Sequence, residues 1–557
     1  MRLTPAPLLL AILAGALGCG GGSTSGPSQA TDTTVIEPGH QLANPAGWYD
    51  DAVIYQVWVK SFANAANPNG IGDLPGVQGR LDYLQALGVN ALWLSPIFQC
   101  EDHGTNMHGY DTVDYNAINP DFGRNEDLAN LIDAVHARGM RILFDFVPNH
   151  TSTVHPWFTS SATSPTWYVW QATQPDGWTY PWGGGNSSDV WLPGQYGFYY
   201  SAFATNTMAD LNYYNPDTVA AIRGVESYWL DRGFDGLRMD AARYLCEQGP
   251  GLEADQPDTH TQLQAFRSII DQYAAPGNAH PHPNGDASQV SVKMMMAEAW
   301  TPDATGIGPY YGNGSNEFNM CLDFSSPWAV YEAIATPDAT QLTGLWEYEQ
   351  AHYPAGYRSA TFDSNHDNVI SRPGTQYGGN RFQIVLAEAL NVLAPGTPII
   401  YYGNEVGMTG VSGTDTNLRQ PMDWTAATAQ SAQPDSILSW CKYLIRARST
   451  YPALRGGYAT LTTDLGPGRA LAYVRSAGAE RVVVVANLTG STETVTINNL
   501  TNFGVTAGGT VGSILGAPTG ATWNGSQFSA AGIPPYGLRV YYAAGGNFQG
   551  NIHGDIQ

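Results

Sequence analysis

The chain has 557 residues, of which 43% are apolar, so it is long enough for several domains and can bury a large core. Its formal net charge is −24 and its sequence pI is about 4.6. This acidity excludes the basic patch that a nucleic-acid partner would need, because such a partner presents phosphates that lysine and arginine must neutralise.

The N-terminus, residues 1–18, is typical of a secretory signal. Arg2 precedes an apolar run, residues 8–17, that is too short to span a bilayer. The following Cys19 and its glycine-rich context resemble a bacterial lipobox, in which the cysteine is lipidated; a plain cleaved signal is the alternative. Residues 19–45 predict a flexible tether. We therefore expect an exported protein, held at a bacterial cell surface or outer membrane through a lipid on Cys19, or secreted.

From residue 46 onwards, helical and strand patterns alternate along the chain. Residues 74–88 carry apolar side chains at helical spacing and end at Gly88, and the apolar run 89–94 predicts the strand that follows. A second unit repeats this order, with Asn125 as the predicted cap of its helix. Such units build a parallel sheet.

Eight segments have the apolar composition of buried parallel strands. They are residues 53–58, 89–94, 141–147, 233–240, 292–298, 319–324, 360–365 and 398–402. Eight such strands with helices between them predict an α/β fold, a (β/α)8 TIM barrel formed by residues 46–150 and 210–454. No G-x-G-x-x-G follows the first strand, which argues against a dinucleotide-binding fold.

Two regions depart from this alternation. Residues 151–209 follow the third strand, are rich in aromatic side chains and show no helical pattern. They predict an irregular insertion, which would supply binding loops, a small aromatic core, or both. Short alternating segments in residues 455–545 predict a C-terminal antiparallel β-sandwich. Residues 546–557 form a tail without a usable pattern.

The four cysteines beyond the N-terminus could form disulfides in an exported chain, but the sequence fixes no pairing. They are Cys100, Cys246, Cys321 and Cys441. No C-x-x-C is present, so neither a zinc site nor a thioredoxin-like site is indicated.

The carboxyl ends of the predicted strands are rich in charged and polar residues, and catalytic groups of a barrel lie at those ends. They are Asp145, Asn149, His150, Arg238, Asp240, Glu298, His366 and Asp367. A lone arginine two residues before an aspartate is more often a structural ion pair. Because Arg238 and Asp240 converge with the polar residues of the other strand ends, we expect an active site instead.

Two carboxylates that face one cleft suit glycoside hydrolysis, in which one attacks the anomeric carbon and the other protonates the leaving oxygen. Asp240 is the expected nucleophile, because Arg238 lies on the same strand face and favours its ionised form. Glu298 has apolar neighbours that would raise its pKa, as a general acid requires. Asp367 is expected to hold sugar hydroxyls and to stabilise positive charge.

Seven segments resemble the motifs of the α-amylase superfamily, glycoside hydrolase family 13, and the resemblance covers residues 48–542. They are DFVPNH (145–150), MADLN (208–212), GLRMDAARY (236–244), AEAW (297–300), FDSNHD (362–367), HGYDTVDY (108–115) and PGTPIIYYGNE (395–405). The resemblance implies a retaining mechanism on α-glucosidic bonds, with Asp240 as nucleophile, Glu298 as acid/base and Asp367 as transition-state stabiliser.

The same resemblance implies four residues that bind substrate. Tyr110 would stack on the sugar before the scissile bond, and His150 and His366 would hydrogen-bond that sugar. Arg238 would hold the nucleophile.

The resemblance also implies two candidate calcium sites. One would use Asn149 and Asp210, although the position where relatives often supply a histidine is Tyr244 here. The other is a loop similar to a calcium loop of some relatives, with fewer charges and therefore weaker binding. Its ligands would be Asn67, Asn69 and Asp73. A metal-free turn held by asparagine and glycine is the alternative for this loop.

Three features bear on the substrate. Relatives that trim single glucoses or make trehalose often carry an aspartate three places before the stacking tyrosine, where this chain has Met107. Ala241 resembles members that act on α-1,4 bonds. The MADLN and DAARYL segments resemble bacterial α-amylases intermediate with the oligo-1,6-glucosidase group. We expect a monomeric, endo-acting α-amylase on starch-like α-glucans. The alternatives are an oligosaccharide glucosidase, a transglycosylase and an inactive glucan-binding surface protein.

Overall fold

A computed structural model describes residues 35–65, 70–102, 107–505, 511–517, 521–525, 527–545 and 548–555. The predicted signal, Cys19 and the first part of the tether lie outside the described residues, as do Asn67 and Asn69. Within these described ranges, no helix is long and apolar enough to cross a membrane.

Eight parallel strands form a closed barrel, as the sequence predicts. In chain order they are β1 (Ile54–Val57), β2 (Ala91–Leu94), β3 (Arg141–Phe146), β4 (Gly236–Met239), β5 (Met294–Ala297), β6 (Met320–Leu322), β7 (Ser359–Thr361) and β8 (Thr397–Tyr401). Each strand pairs with its neighbours in chain order, and β8 closes on β1. Large side chains such as Trp93, Leu143 and Met296 fill the interior, so the barrel is a packed core.

Helices surround the barrel and follow the strands in sequence. After β1 and β2 they are Leu74–Gln78, Leu81–Leu87 and Asn125–His136, and after β3 and β4 they are Pro216–Asp231 and Pro257–Gln272. After β6, β7 and β8 they are Ser326–Ala335, Thr340–His352, Pro373–Gln376, Arg381–Val392, Asp415–Leu418, Trp424–Ser431 and Ile437–Thr450. Two 3₁₀ turns, Ala304–Gly306 and Gly308–Tyr311, follow β5.

Two local predictions about these helices are wrong. Residues 74–88 form two helices instead of one, with a break at Gly79 and Arg80. Asn125 is the first helical residue and not the cap. Arg124 is the N-cap residue, and its backbone N–H donates to the carboxylate of Asp127, the third helical residue, at 2.7 Å.

The insertion consists of short strands and single helical turns, and it is rich in aromatic side chains. Strands His150–Ser152 and Met208–Asp210 pair with each other and bring its two ends together. Between them lie a three-stranded sheet (Trp170–Gln171, Trp191–Gly194, Gly197–Tyr200) and single helical turns (Pro156–Thr159, Ser164–Trp167, Ser187–Val190). Trp178, Trp191 and Tyr200 form a buried cluster with Ala241 and Tyr244 of the barrel, so the insertion packs directly behind the end of β4.

The C-terminal region consists of two antiparallel sheets. One contains Gly457–Leu461, Ala470–Ala477, Glu480–Asn487, Leu538–Ala544 and Gly512–Leu515, and the other contains Glu493–Asn498, Gln527–Ile533 and Ala521–Trp523. Val483, Val495 and Phe528 belong to the buried core that both sheets share. Cys100, Cys246, Cys321 and Cys441 are all buried and free, so none of these four forms a disulfide.

Candidate active site

Arg238 lies at the centre of the barrel mouth. It is fully buried on β4, and its Nη1 contacts Asp145 Oδ1 and Asp240 Oδ1, each at 2.7 Å. Its Nη2 lies 3.1 Å from Glu298 Oε2. The register of the parallel sheet explains this convergence, because Arg238 pairs with Asp145 on β3 and Glu298 directly follows β5. One guanidinium therefore holds three carboxylates.

The three candidate catalytic carboxylates differ from Asp145 in their exposure. The side chain of Asp145 is 0% exposed, whereas those of Asp240, Glu298 and Asp367 are 9%, 16% and 24% exposed. Asp145 also accepts the indole N–H of Trp93 at 3.2 Å. Asp145 is thus an anchor for Arg238, and the other three carboxylates open toward the cleft.

Burial raises the pKa of both Asp240 and Glu298. The positive charge of Arg238 opposes this rise at both carboxyls, while neighbouring carboxylates add to it. For Glu298 the direction is the one expected of a general acid. For Asp240 the sequence suggested that Arg238 alone would favour ionisation, but the cation is shared among three acids. The cluster therefore holds a proton among its carboxyls more readily than isolated carboxyls would.

The residue after Asp240 shapes the site through its backbone. Ala241 has a φ of 52°, in the left-handed region that residues with a Cβ rarely adopt. This conformation directs its N–H to Glu298 Oε2 at 2.8 Å. The strain costs about 1–2 kcal/mol for a non-glycine residue. The sequence gives no signal for this contact.

Asp367 is held by its own loop and lies beside the side chains of His366 and Arg419. Asn365 Nδ2 donates to Asp367 Oδ2 at 3.0 Å, and the Asp367 N–H donates to Asn365 Oδ1 at the same distance. His366 Nε2 lies 3.3 Å and Arg419 Nη2 lies 4.0 Å from Asp367 Oδ1. Arg419 was missed by the sequence reasoning; it also donates to the carbonyl of His366 at 3.1 Å.

Tyr110 and His366 form a stacked pair beside the carboxylates. Their rings are nearly parallel, at 8°, and the Tyr110 hydroxyl lies 2.5 Å from His366 Nε2. His366 also stacks on Trp58 and is hydrogen-bonded by Gln56 at 2.7 Å. Burial lowers the pKa of His366 well below 6.5, so the ring is neutral at pH 7. Gln56 lies within β1 and Trp58 directly follows it, and the hydrophobicity pattern there predicted only a strand.

His150 is buried below the loop that carries Tyr110. Its Nε2 lies 3.1 Å from the backbone carbonyl of Tyr110, and its ring meets Phe203 edge-on at 5.1 Å. Burial lowers its pKa to about 3, so neutral His150 donates from Nε2 to that carbonyl. This contact positions Tyr110, and the predicted bond between His150 and a sugar stays a prediction.

The first candidate calcium site fits a metal poorly. Asn149 Nδ2 donates to Asp210 Oδ2 at 2.9 Å, and Asp210 Oδ1 accepts the N–H of Ala202 at 3.1 Å. Tyr244, at the third expected position, packs its ring against Phe203. Calcium needs six to eight oxygen ligands. Of these side chains, only Asn149 Oδ1 is a buried oxygen without a hydrogen-bond partner. The pair fits an amide–carboxylate hydrogen bond better than a calcium site.

The second candidate calcium loop is described only in part. Asp73, its one described ligand, is the N-cap of the helix Leu74–Gln78. Its Oδ1 accepts the N–H groups of Gly76 at 2.6 Å and Ala65 at 3.1 Å. These bonds cap the helix. Calcium binding by this loop stays a prediction, because Asn67 and Asn69 lie outside the described residues.

Among the described residues, one group of three side chains brings possible metal ligands together. The ligand atoms of Asp102, His108 and Asp111 lie within 4.8 Å of one another. The N–H of Tyr110 donates to His108 Nδ1 at 3.1 Å, and burial lowers the pKa of His108. Neutral His108 therefore carries its proton on Nε2, 3.3 Å from Asp102 Oδ2. A metal ligand needs an unprotonated nitrogen, so this group is better described as a hydrogen-bonded brace for Tyr110.

The fold, the three accessible carboxylates at the barrel mouth and the arginine that contacts two of them are those of a barrel glycoside hydrolase. The chain matches the family described as alpha amylase, catalytic domain, over residues 56–457. It belongs to that family, glycoside hydrolase family 13.

Similar proteins within the family are diverse. Alpha-amylase 3 of Dictyoglomus thermophilum is 30% identical over 485 residues, which is 81% of this chain and 87% of that protein. An oligo-1,6-glucosidase of Heyndrickxia coagulans is 29% identical, over 80% of this chain and 93% of that protein. A trehalose synthase of Thermus thermophilus is also 29% identical over 80% of this chain, which spans about half (51%) of that longer protein.

A solved structure supports the same grouping. The crystal structure of an alpha-amylase from H. orenii superposes with a TM-score of 0.73 at 27% identity, covering 88% of this chain and 99% of that one. The names of these similar proteins include an amylase, an oligo-1,6-glucosidase and a trehalose synthase, so the family alone leaves the preferred reaction open.

Proposed function

We propose that the protein is a retaining α-glucosidic hydrolase that cleaves internal α-1,4 bonds of starch-like glucans. The observation that carries the proposal is the shared guanidinium of Arg238, which contacts Asp240 Oδ1 at 2.7 Å and Glu298 Oε2 at 3.1 Å. One guanidinium can contact both carboxylates only if they are close together. Close carboxylates suit the retaining mechanism, because the inverting mechanism needs room for a water between them.

In the proposed first step, Asp240 attacks the anomeric carbon and forms a covalent glucosyl-enzyme. Glu298 donates its proton to the departing glycosidic oxygen, so the leaving sugar carries a hydroxyl. In the second step Glu298, now ionised, takes a proton from water, and the resulting oxygen nucleophile displaces Asp240 from the sugar. Asp367 stabilises the positive charge on the sugar ring between these states.

The proposed internal cleavage is supported by the position of Met107. This side chain is 2% exposed, and its Sδ accepts the amide N–H of Asn119 at 3.0 Å. The position three places before Tyr110 therefore supplies no carboxylate to the cleft. A cleft without that carboxylate suits a glucan chain that continues beyond the sugar at the bond to be cleaved.

The product profile on maltoheptaose blocked at its non-reducing end tests this proposal. We expect early fragments of mixed length, since an internal cut needs no free chain end. Glucose release from unblocked maltoheptaose, with no cleavage of the blocked sugar, would instead identify an exo-acting glucosidase.

Glucose transfer is a second candidate, and the similarity to a trehalose synthase favours it. A transferase would pass the glucosyl group from Asp240 to a sugar hydroxyl instead of water. The same experiment separates the two reactions, because transfer yields products longer than the substrate, or trehalose when maltose is supplied.

We further propose export with a lipid on Cys19, from the signal-like segment before it. Incorporation of labelled palmitate into the chain expressed in a bacterium tests this, with Cys19→Ala as the control. Equal labelling of both chains, or labelling of neither, would contradict the lipid attachment.

A further inference from the structure

The residues that directly follow the candidate nucleophile bind the chain around the candidate acid. Ala241 donates its N–H to the carboxylate of Glu298 at 2.8 Å, and Ala242 donates its N–H to the carbonyl of Glu298 at 3.3 Å. The guanidinium of Arg243 then donates from Nη1 to the carbonyl of Trp300. Hydrogen bonds between β4 and β5 are thus continued beyond the ends of both strands.

Arg243 differs from the two alanines because it makes its contact through a charged side chain. The residue is 8% exposed, and a buried charge needs a partner. Asp255 is that partner: Arg243 Nε donates to its Oδ1 at 2.8 Å, and Nη2 donates to its Oδ2 at 2.5 Å. Such a bidentate pair fixes the plane of the guanidinium. It therefore also fixes the direction in which Nη1 donates to the carbonyl of Trp300.

Asp255 is itself held by its backbone and by a second loop. Its N–H donates to the carbonyl of Arg243 at 3.0 Å, and its φ of 60° lies in the left-handed region. The hydroxyl of Tyr310, in the 3₁₀ turn Gly308–Tyr311 after β5, donates to Asp255 Oδ1. Burial raises the pKa of Asp255, but the hydrogen bonds from Arg243 and Tyr310 outweigh burial, so the pKa is lowered. The carboxylate is therefore ionised at neutral pH.

The orientation of Glu298 depends on the backbone that follows it. A general acid must lie within hydrogen-bond reach of the oxygen that it protonates. Glu298 directly follows β5, and Arg243 holds the chain two residues later, at Trp300. A shift of this backbone would move the carboxyl of Glu298 away from the leaving oxygen. Asp240 would keep its place, because Arg238 holds it separately at 2.7 Å.

We propose that Arg243 is a positioning residue for the acid step, which holds the loop after β5 so that Glu298 meets the departing glycosidic oxygen. The proposal rests on the proposed function, because it concerns the proton donor of that reaction. Loss of Arg243 should slow reactions whose leaving group needs a proton. It should spare reactions whose leaving group departs without one.

Two aryl maltosides with different leaving groups test this role. The phenolate of a dinitrophenyl maltoside leaves without a proton, whereas that of an unsubstituted phenyl maltoside needs one. Arg243→Met keeps the apolar stem and should lower kcat/KM on the phenyl maltoside by about 10- to 100-fold. On the dinitrophenyl maltoside we expect a change of less than about threefold. An equal loss on both would overturn the proposal, because a residue that binds the substrate or only supports the fold affects both.

Asp255→Asn is the second variant, because its side chain is 44% exposed and the substitution leaves the core packing intact. It weakens the ion pair that orients the guanidinium, so we expect a selective loss in the same direction, of about threefold to tenfold. If Arg243→Met does not fold, this variant decides alone. Folded Asp255→Asn without a selective loss would overturn the proposal.

Arg267→Met is the matched control. Arg267 also pairs with a carboxylate, that of Asp271 at 2.7 Å, and donates to a carbonyl, that of Glu317 at 2.8 Å. These partners lie outside residues 298–300. The control should leave kcat/KM unchanged on both maltosides, and a selective loss there would contradict a specific role of Arg243.

Failure of the proposed function is recognised separately. The unmodified chain would then cleave neither maltoside, or Glu298→Gln would lower kcat/KM equally on both. If Glu298→Gln is selective for the phenyl maltoside and Arg243→Met is not, the proposed function stands and the role of Arg243 is wrong.

Discussion

Two buried aspartates stand at opposite ends of β4, and they have opposite surroundings. Asp235 precedes the strand, is 0% exposed and accepts hydrogen bonds from Asn44 Nδ2 at 2.6 Å and the Ile142 N–H at 2.9 Å. His136 Nε2 also lies 2.9 Å from it. Asp240 follows the strand and shares one guanidinium with two other carboxylates.

The pKa values of these two carboxyls move in opposite directions. Burial raises the pKa of both, but at Asp235 the charges of His136 and Lys293 and several hydrogen bonds outweigh burial, so the pKa is lowered. At Asp240 burial and neighbouring carboxylates outweigh Arg238, and the pKa is raised. Burial therefore raises the pKa of both acids, but only Asp235 has surroundings that outweigh burial and favour the ionised form. This matches the general division of a barrel into a stability face and a catalytic face.

The largest expected effect is on turnover, at the catalytic end. Asp240→Asn should lower kcat on a soluble glucan by about 10⁴-fold or more, because the amide cannot form the glucosyl ester. Binding of maltoheptaose should persist. Full turnover by this variant would show that the nucleophile is assigned wrongly, and persistent binding without turnover in the unmodified chain would favour the inactive glucan-binding alternative.

Glu298→Gln should lower kcat on a natural glucan by about 10²–10⁴-fold, the usual contribution of a general acid. The loss should be much smaller on a glucosyl fluoride, since fluoride leaves without a proton. Rates on the two substrates, measured side by side, check this. An equal loss on both substrates would contradict the assignment of Glu298 as the acid.

At the other end of β4, we expect a substitution to change the stability of the fold instead of turnover. Asp235→Asn should reduce the free energy of unfolding by about 3 kcal/mol, because it breaks a buried, fully bonded charge cluster. Denaturant unfolding measures this loss. The folded variant should keep kcat within a few-fold of the unmodified chain. A large loss of kcat in protein that is still folded would contradict the division between the two ends.

The smallest expected effect is a pH dependence of opposite sign at the two sites. The lowered pKa of Asp235 gives stability that is present above its ordinary value of 3.8 and is lost as the pH falls through the folded value. The raised pKa of Asp240 destabilises the folded state increasingly as the pH rises above 3.8.

The free energy of unfolding, measured at pH 4 and at pH 7, tests the sign of the pH dependence at each site. Relative to the unmodified chain, Asp240→Asn should gain stability between pH 4 and pH 7, by an amount of the order of 1 kcal/mol. Asp235→Asn should have its largest deficit at pH 7. If Asp240→Asn instead lost stability relative to the unmodified chain between pH 4 and pH 7, Arg238 would outweigh burial at Asp240.

The sequence by itself determined the barrel, its eight strands and the strand ends that carry charge. It could do so because hydrophobic periodicity is local: a run such as residues 141–147 is apolar whatever it later contacts. The candidate catalytic residues could also be predicted from the sequence. Residues that directly follow parallel strands lie at the same end of a barrel, where catalytic groups are found. The wrong cap at Asn125 marks the limit of local patterns, because the N-cap is Arg124, a residue type without a preference for that position.

Only the tertiary structure decided how the site is connected. Arg238 meets Asp145, 93 residues earlier, through the register of two adjacent strands. The left-handed backbone of Ala241, the Gln56 bond to His366 and the pairing of Asn149 with Asp210 are likewise absent from any local pattern. The physical reason is that these contacts join segments far apart in the chain, whose approach depends on the closed barrel. The protonation of Asp240 depends on the same closure, because burial and the number of acids sharing one arginine exist only after folding.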